Sequence, residues 1–293
     1  MDIRKVGATR GAHWLNASIH LIEKNPRALL SAGLVLACIA AAPGLLGPLG
    51  MPLLLALVVL YPVMMGGLVG LVAKVDAGGG GGPADLFSAF RTGRAPALML
   101  MCLPQVAFGL VMVMAVLGWL GMDNIERMAQ QEEPDLSAIN PGMTAWVVLA
   151  FMLGIIGVIG ATLFAIPLAM LAKVPGFTAI GISLRAALLR NFGALLVYLL
   201  CLLLAMVIAL VALALLAMLL NAVLGLLGPV VAAAGQLLVS ILFNAGLVVV
   251  LACGHHLATL DVFGAGRDTG TGGDKGDRDG DGRPPEREVA AEL

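Results

Sequence analysis

The sequence predicts an all-α, polytopic membrane protein: six transmembrane helices paired into three hairpins, each hairpin preceded by an amphipathic helix on the cytoplasmic face. Three observations predict it. Sixty per cent of the 293 residues are hydrophobic and 12% are charged, a balance outside the range of soluble domains. Uncharged apolar runs occupy 28–73, 95–121, 144–172 and 195–253, each at least as long as the roughly 20 residues that cross a bilayer. The charges lie between and beyond these runs, and they are unequally shared between the two sides.

The first element is a polar segment, 1–27, in which Trp14, Leu15, Ile19 and Ile22 recur at helical spacing beside cations. That pattern suits a helix lying in the headgroup plane. A secretory leader is a poor reading, because the polar stretch is long and the apolar character continues past Ala40-Ala41-Ala42 into a second span. The run 28–73 is too long for one helix, and Pro43, Gly44, Gly47, Pro48, Gly50 and Pro52 gather at its middle. Proline removes donors and glycine weakens helices, so the cluster reads as a turn between spans near 28–44 and 52–73.

After the flexible run 78–82 comes a second amphipathic segment with Leu86, Phe87 and Phe90, followed by isolated spans near 96–120 and 144–172. Ile182, Leu184, Leu188 and Leu189 form the third. The last long run divides at Asn221, Gly225, Gly228 and Pro229 into spans near 194–220 and 230–254. Residues 28–263 thus form the membrane domain, and 264–293 a Gly-rich, disordered tail.

Of the 17 basic residues, all but Arg127 fall on one side of this scheme. The positive-inside tendency places that side, with both termini, in the cytoplasm. The loop holding Arg127 also carries Asp123, Glu126, Glu132, Glu133 and Asp135. Arg-over-Lys, Ala/Gly/Leu-rich wording points to a GC-rich bacterial genome, and so to an inner membrane. The net charge of −1 is not gathered into a basic face, which excludes nucleic acid as an expected partner; the lipid bilayer is the expected one.

Each amphipathic segment ends in a basic residue, a short breaker and Ala: 24–28, 91–95 and 190–194. The unit reads as surface helix, span, turn, span, three times over. Gly11-Ala12-His13-Trp14-Leu15 with Lys24-Asn25-Pro26, and Ala84-Asp85-Leu86-Phe87 before Phe90-Arg91, resemble an uncharacterised family of proteobacterial six-span inner-membrane proteins. More distantly the wording is similar to the membrane domain of some bacterial glycerophosphodiester phosphodiesterases. The resemblance covers most of 10–260 and implies architecture; the catalytic domain of those enzymes has no counterpart here.

Candidate chemistry is sparse. Asp277-x-Asp279-x-Asp281-Gly282 with Glu288 has the spacing of a calcium loop, but an EF-hand needs flanking helices, and Pro284-Pro285 interrupts the second half. His255-His256 are adjacent and project about 100° apart on a helix, which suits an interfacial anchor better than one metal. Cys38, Cys102, Cys201 and Cys253 fall in or beside apolar runs and read as small hydrophobes. The run 78–82 lacks the Lys-Ser/Thr of a phosphate loop, and within the spans only Tyr61 and Tyr198 are ionisable. No cofactor, metal or catalytic residue is expected.

What remains is a polar face, Gln236, Ser240 and Asn244, spaced by four on the sixth helix. Gly66 and Gly70 on the second, and Gly157 and Ala161 on the fourth, offer small faces for close helix approach. Pro62 and Pro167 bend or loosen these same two helices. Packing explains the polar face by default; a permeation path is the alternative. The expected function is therefore a non-enzymatic membrane scaffold or lipid-interacting factor, with a small-molecule or ion transporter or channel as the second reading.

Overall fold

The computed structural model describes residues 2–130 and 141–264. Glu132, Glu133, Asp135, the calcium-loop spacing at 277–288 and nearly all of the tail lie outside the described residues. Among those described, every regular element is helical.

An extended strap, 2–7, leads into α1 (Arg10–Lys24). Asn25 then caps α2 (Pro26–Leu45), its Oδ1 accepting from the Ala28 N–H at 3.2 Å with Pro26 at the first helical position. The helix runs through Pro43, and the chain turns at a single 3₁₀ turn, 47–49, where Gly47 has φ +56. Only glycine enters that region without strain. α3 (Gly50–Asp76) returns, and a 3₁₀ turn (Pro83–Phe87) with the short α4 (Ser88–Arg91) and α5 (Ala95–Met99) leads to α6 (Leu103–Leu120). α7 (Met122–Ala129) crosses the opposite end, and α8 (Pro141–Thr162) and α9 (Ala165–Met170) descend. α10 (Gly176–Leu184), a π-helical turn (Arg185–Arg190), α11 (Phe192–Leu224) and α12 (Pro229–Phe263) complete the chain. Gly228, at φ +118, makes the last sharp reversal.

Six helical stretches are long and apolar enough to cross a membrane: Pro26–Leu45, Gly47–Asp76, Ala95–Leu120, Gly142–Met170, Phe192–Leu227 and Pro229–Phe263. The chain is a multi-pass membrane protein by this measure. The last helix continues past Gly254 through His255, His256 and Asp261, which the sequence placed beyond the span; there Asp261 is bonded by Arg10 and Trp14 of α1.

The core is asymmetric. α2, α3 and α12 pack together, and α5 and α9 close on α3. Of the most apolar window in the second span 67% is buried, against 0% in the fifth, so α3 is central and α11 faces outward. α6 pairs with α8, and α11 with α12, with their far halves exposing Leu110, Met114, Leu153, Leu204 and Leu219. Lipid chains satisfy such surfaces as well as protein does.

The fourth span is broken. Pro167 has no N–H and its ring opposes the carbonyl one turn back, and α8 ends at Thr162. Ser183 repairs the ladder: its hydroxyl donates to the Gly160 carbonyl at 2.7 Å and accepts from the Phe164 N–H at 3.1 Å. A side chain thus stands in for the i→i−4 bond that the break removes.

Candidate functional site

Polar chemistry concentrates at the end of the bundle where α1, the end of α3 and the end of α12 meet. The strap is fixed there by its backbone. The Arg4 N–H donates to the Val262 carbonyl at 3.0 Å. Asn191, which is buried, accepts from the Val6 N–H at 2.8 Å and donates to the Arg4 carbonyl at 3.2 Å, so one amide side chain pairs with the strap as a neighbouring strand would. Asn191 is placed by the π turn before it, whose Ala186 carbonyl accepts from both its amide nitrogens.

α1 lies across the start of α11 and the end of α12. Gly11 permits it: a Cβ there would stand 2.1 Å from the Ala194 carbonyl oxygen. Trp14 is buried and meets Tyr198 edge-on at 6.1 Å, and its indole N–H donates to Asp261 at 3.0 Å. Arg10 grips both oxygens of Asp261 at 2.8 and 2.9 Å, the fork geometry that makes Arg–carboxylate pairs directional. On the other side Lys24 donates to Asp76 at 2.7 Å, and His256 Nε2 lies 3.3 Å from the second oxygen of Asp76. These pairs join the first helix to the third and the last.

A further ionic knot holds the segment between the second and third spans. Asp85 accepts from Lys74 and from the Gly82 N–H, with Arg91 beyond. Partial burial pushes its carboxyl upward, but the bonds from Lys74 and Gly82 and the charges of Lys74 and Arg91 outweigh this and hold it below the usual carboxylate range.

Between strap, α1, α3 and α12 lies an open cavity of about 1100 Å³. Arg4, Lys5, Arg10 and His13 line one wall, and Asp76, His256 and Asp261 the other. No residue of the polar face on α12 borders it. Among the described residues no three His, Cys, Asp or Glu side chains gather as metal ligands.

The sequence-predicted positions divide. Gly66 and Gly70 are close-approach sites, against Leu98 and Met170. Ala161 is buried, but Gly157 has nothing within 4 Å of an added Cβ; Gly154, against Phe108, and Gly160, against Leu188, are the tight positions on that helix. Gln236 is half-buried while Ser240 and Asn244 are exposed, and the Asn244 amide donates to the Ser240 carbonyl of its own helix at 2.8 Å. The polar face therefore neither packs across helices at Asn244 nor borders the cavity. α12 turns Ala245, Val249 and Ala252 toward α2 instead, where Gly33 lets the backbones approach.

His255 and His256 are not interfacial anchors: both are buried within the protein, at 8% and 4% exposure. Among the described residues their Nδ1 atoms, with the Tyr198 hydroxyl, are buried without hydrogen-bond partners. One unused signal was Asp261 itself, a lone carboxylate within the last, otherwise uncharged helix. No family model matches the chain, and no curated protein or solved structure does.

Proposed function

We propose that this protein is a non-enzymatic, lipid-interacting scaffold of a bacterial inner membrane, built from three hairpins with their surface segments and both termini in the cytoplasm. The observation that carries the reading is the separation of polar chemistry from the spans: the cavity sits at one end, while the polar face on α12 turns outward and Asn244 is satisfied by its own backbone. Orientation is supported by the basic residues, which crowd the end holding the cavity.

The surface segments support a membrane-lying role. Each buries one face against the bundle, Trp14 and Leu21, then Leu86 and Ala89, then Ala186 and Ala187, and leaves other large apolar side chains outward: Ile19, then Phe87 and Phe90, then Phe177 and Leu189. Outward apolar side chains beside cations suit the headgroup boundary. The family resemblance of the sequence is consistent with this architecture.

A transporter needs a wet path beside the polar face. With Ser240→Cys in a background lacking the four native cysteines, the scaffold reading expects no reaction with a membrane-impermeant thiol reagent in intact membranes. Rapid labelling would put the transporter reading first.

A further inference from the structure

We propose that the cavity beneath the strap binds a phosphate-bearing anion, and in the first place the headgroup of an acidic phospholipid. The proposal rests on the lipid-interacting reading and gives it a site. The two carboxylates on the wall are already occupied: Asp261 by Arg10 and Trp14, Asp76 by Lys24 and His256. Arg4 and Lys5 are left. Among the described residues neither side chain is hydrogen-bonded to a carboxylate, Arg4 acting on Asp261 only through its charge, and both line the cavity.

These two cations are not on a loose arm. The Arg4 N–H and carbonyl and the Val6 N–H are each bonded to the bundle, by Val262 and Asn191, so the backbone that carries Arg4 and Lys5 is placed before any ligand arrives. Preplacement reduces the entropy that binding must overcome. A doubly charged phosphate matches two cations that hold no hydrogen bond to a carboxylate, and its oxygens accept from Arg in the same forked geometry that Arg10 uses on Asp261.

At about 1100 Å³ the open cavity has room for a lipid headgroup. Its wall includes the apolar Leu257 and Leu260, the latter 44% exposed, which gives acyl chains an exit along α12 and favours a lipid over a free anion.

The test uses the full chain in mild detergent, titrated with short-chain phosphatidic acid, with phosphatidylcholine of the same chain length, and with inorganic phosphate, bound ligand being counted by native mass spectrometry. Phosphatidic acid is expected to fill one saturable site and phosphatidylcholine to bind at least tenfold more weakly. Arg4→Gln with Lys5→Gln should weaken phosphatidic acid at least tenfold, Arg4→Lys with Lys5→Arg should restore it, and Lys173→Gln, at the same end but off the cavity wall, should change nothing. Displacement by inorganic phosphate at equal concentration would confirm the anion site and assign it to the free ion. Unchanged binding in the Gln pair, an equal loss in Lys173→Gln, or equal affinity for phosphatidylcholine would overturn the proposal. Such a failure, with Ser240→Cys still unreactive, removes this site and leaves the scaffold reading standing; labelling at 240 removes the scaffold reading whatever the lipid result.

Discussion

Asp261 carries more of the fold than its place near the end of the described chain suggests, because it receives Arg10 and Trp14 from the opposite end of the sequence. Arg10 is 44% exposed, so solvent screens the ion pair to about 0.2–1 kcal/mol, and the indole bond adds about 1 kcal/mol. Asp261→Ala should therefore destabilise the protein by roughly 1–2 kcal/mol in detergent unfolding, by these same contributions. Gln236→Leu with Asn244→Leu should stay within about 0.5 kcal/mol of wild type, as surface substitutions do, since the Asn244 amide bonds only to its own helix among the described residues. Asp85 sets a pH dependence. Its carboxyl is held low in the folded protein, so its stabilisation is fully present above the unfolded value of about 3.9 and is lost as pH falls through the folded value. Unfolding followed from pH 6 downward should show a smaller acid loss in Asp85→Asn than in wild type; an identical acid limb would deny Asp85 that role.

At the scale of the element, glycine spacing alone does not tell a packing face from an open one. Gly66 and Gly157 look alike in sequence, but the first meets Leu98 and the second meets nothing. Gly157→Ala should be neutral or stabilising by up to about 1 kcal/mol, the helix propensity of alanine over glycine, whereas Gly11→Ala must lift α1 from the Ala194 backbone and should lower the melting temperature clearly. The break before α9 was legible as Pro167, but its repair by Ser183 was not, because the serine comes from a different helix and polar residues of this kind are common in any sequence. Ser183→Ala leaves the buried Phe164 N–H and Gly160 carbonyl unbonded and should cost about 1–3 kcal/mol. Thermal unfolding of Ser183→Ala beside Ser183→Thr, which keeps the hydroxyl, separates this bond from simple loss of volume.

For the whole molecule, the six apolar helices were legible because long uncharged runs and Pro/Gly breaks act locally, within one stretch of chain. The candidate site was not legible, since Arg10 with Asp261, Lys24 with Asp76, and Asn191 with the strap are meetings of residues far apart in sequence. The same locality explains the polar face: its spacing of four was plain, but which way α12 turns depends on Gly33 of α2 receiving Ala245 and Val249. The proposed function requires that the end holding the strap, the cavity and most basic residues face the cytoplasm. A reporter active only in the periplasm tests this directly when fused at Asp135, at Gly79 and after Gly266. Activity is expected at Asp135 and silence at the other two positions; activity at Gly79 with silence at Asp135 would contradict the cytoplasmic placement.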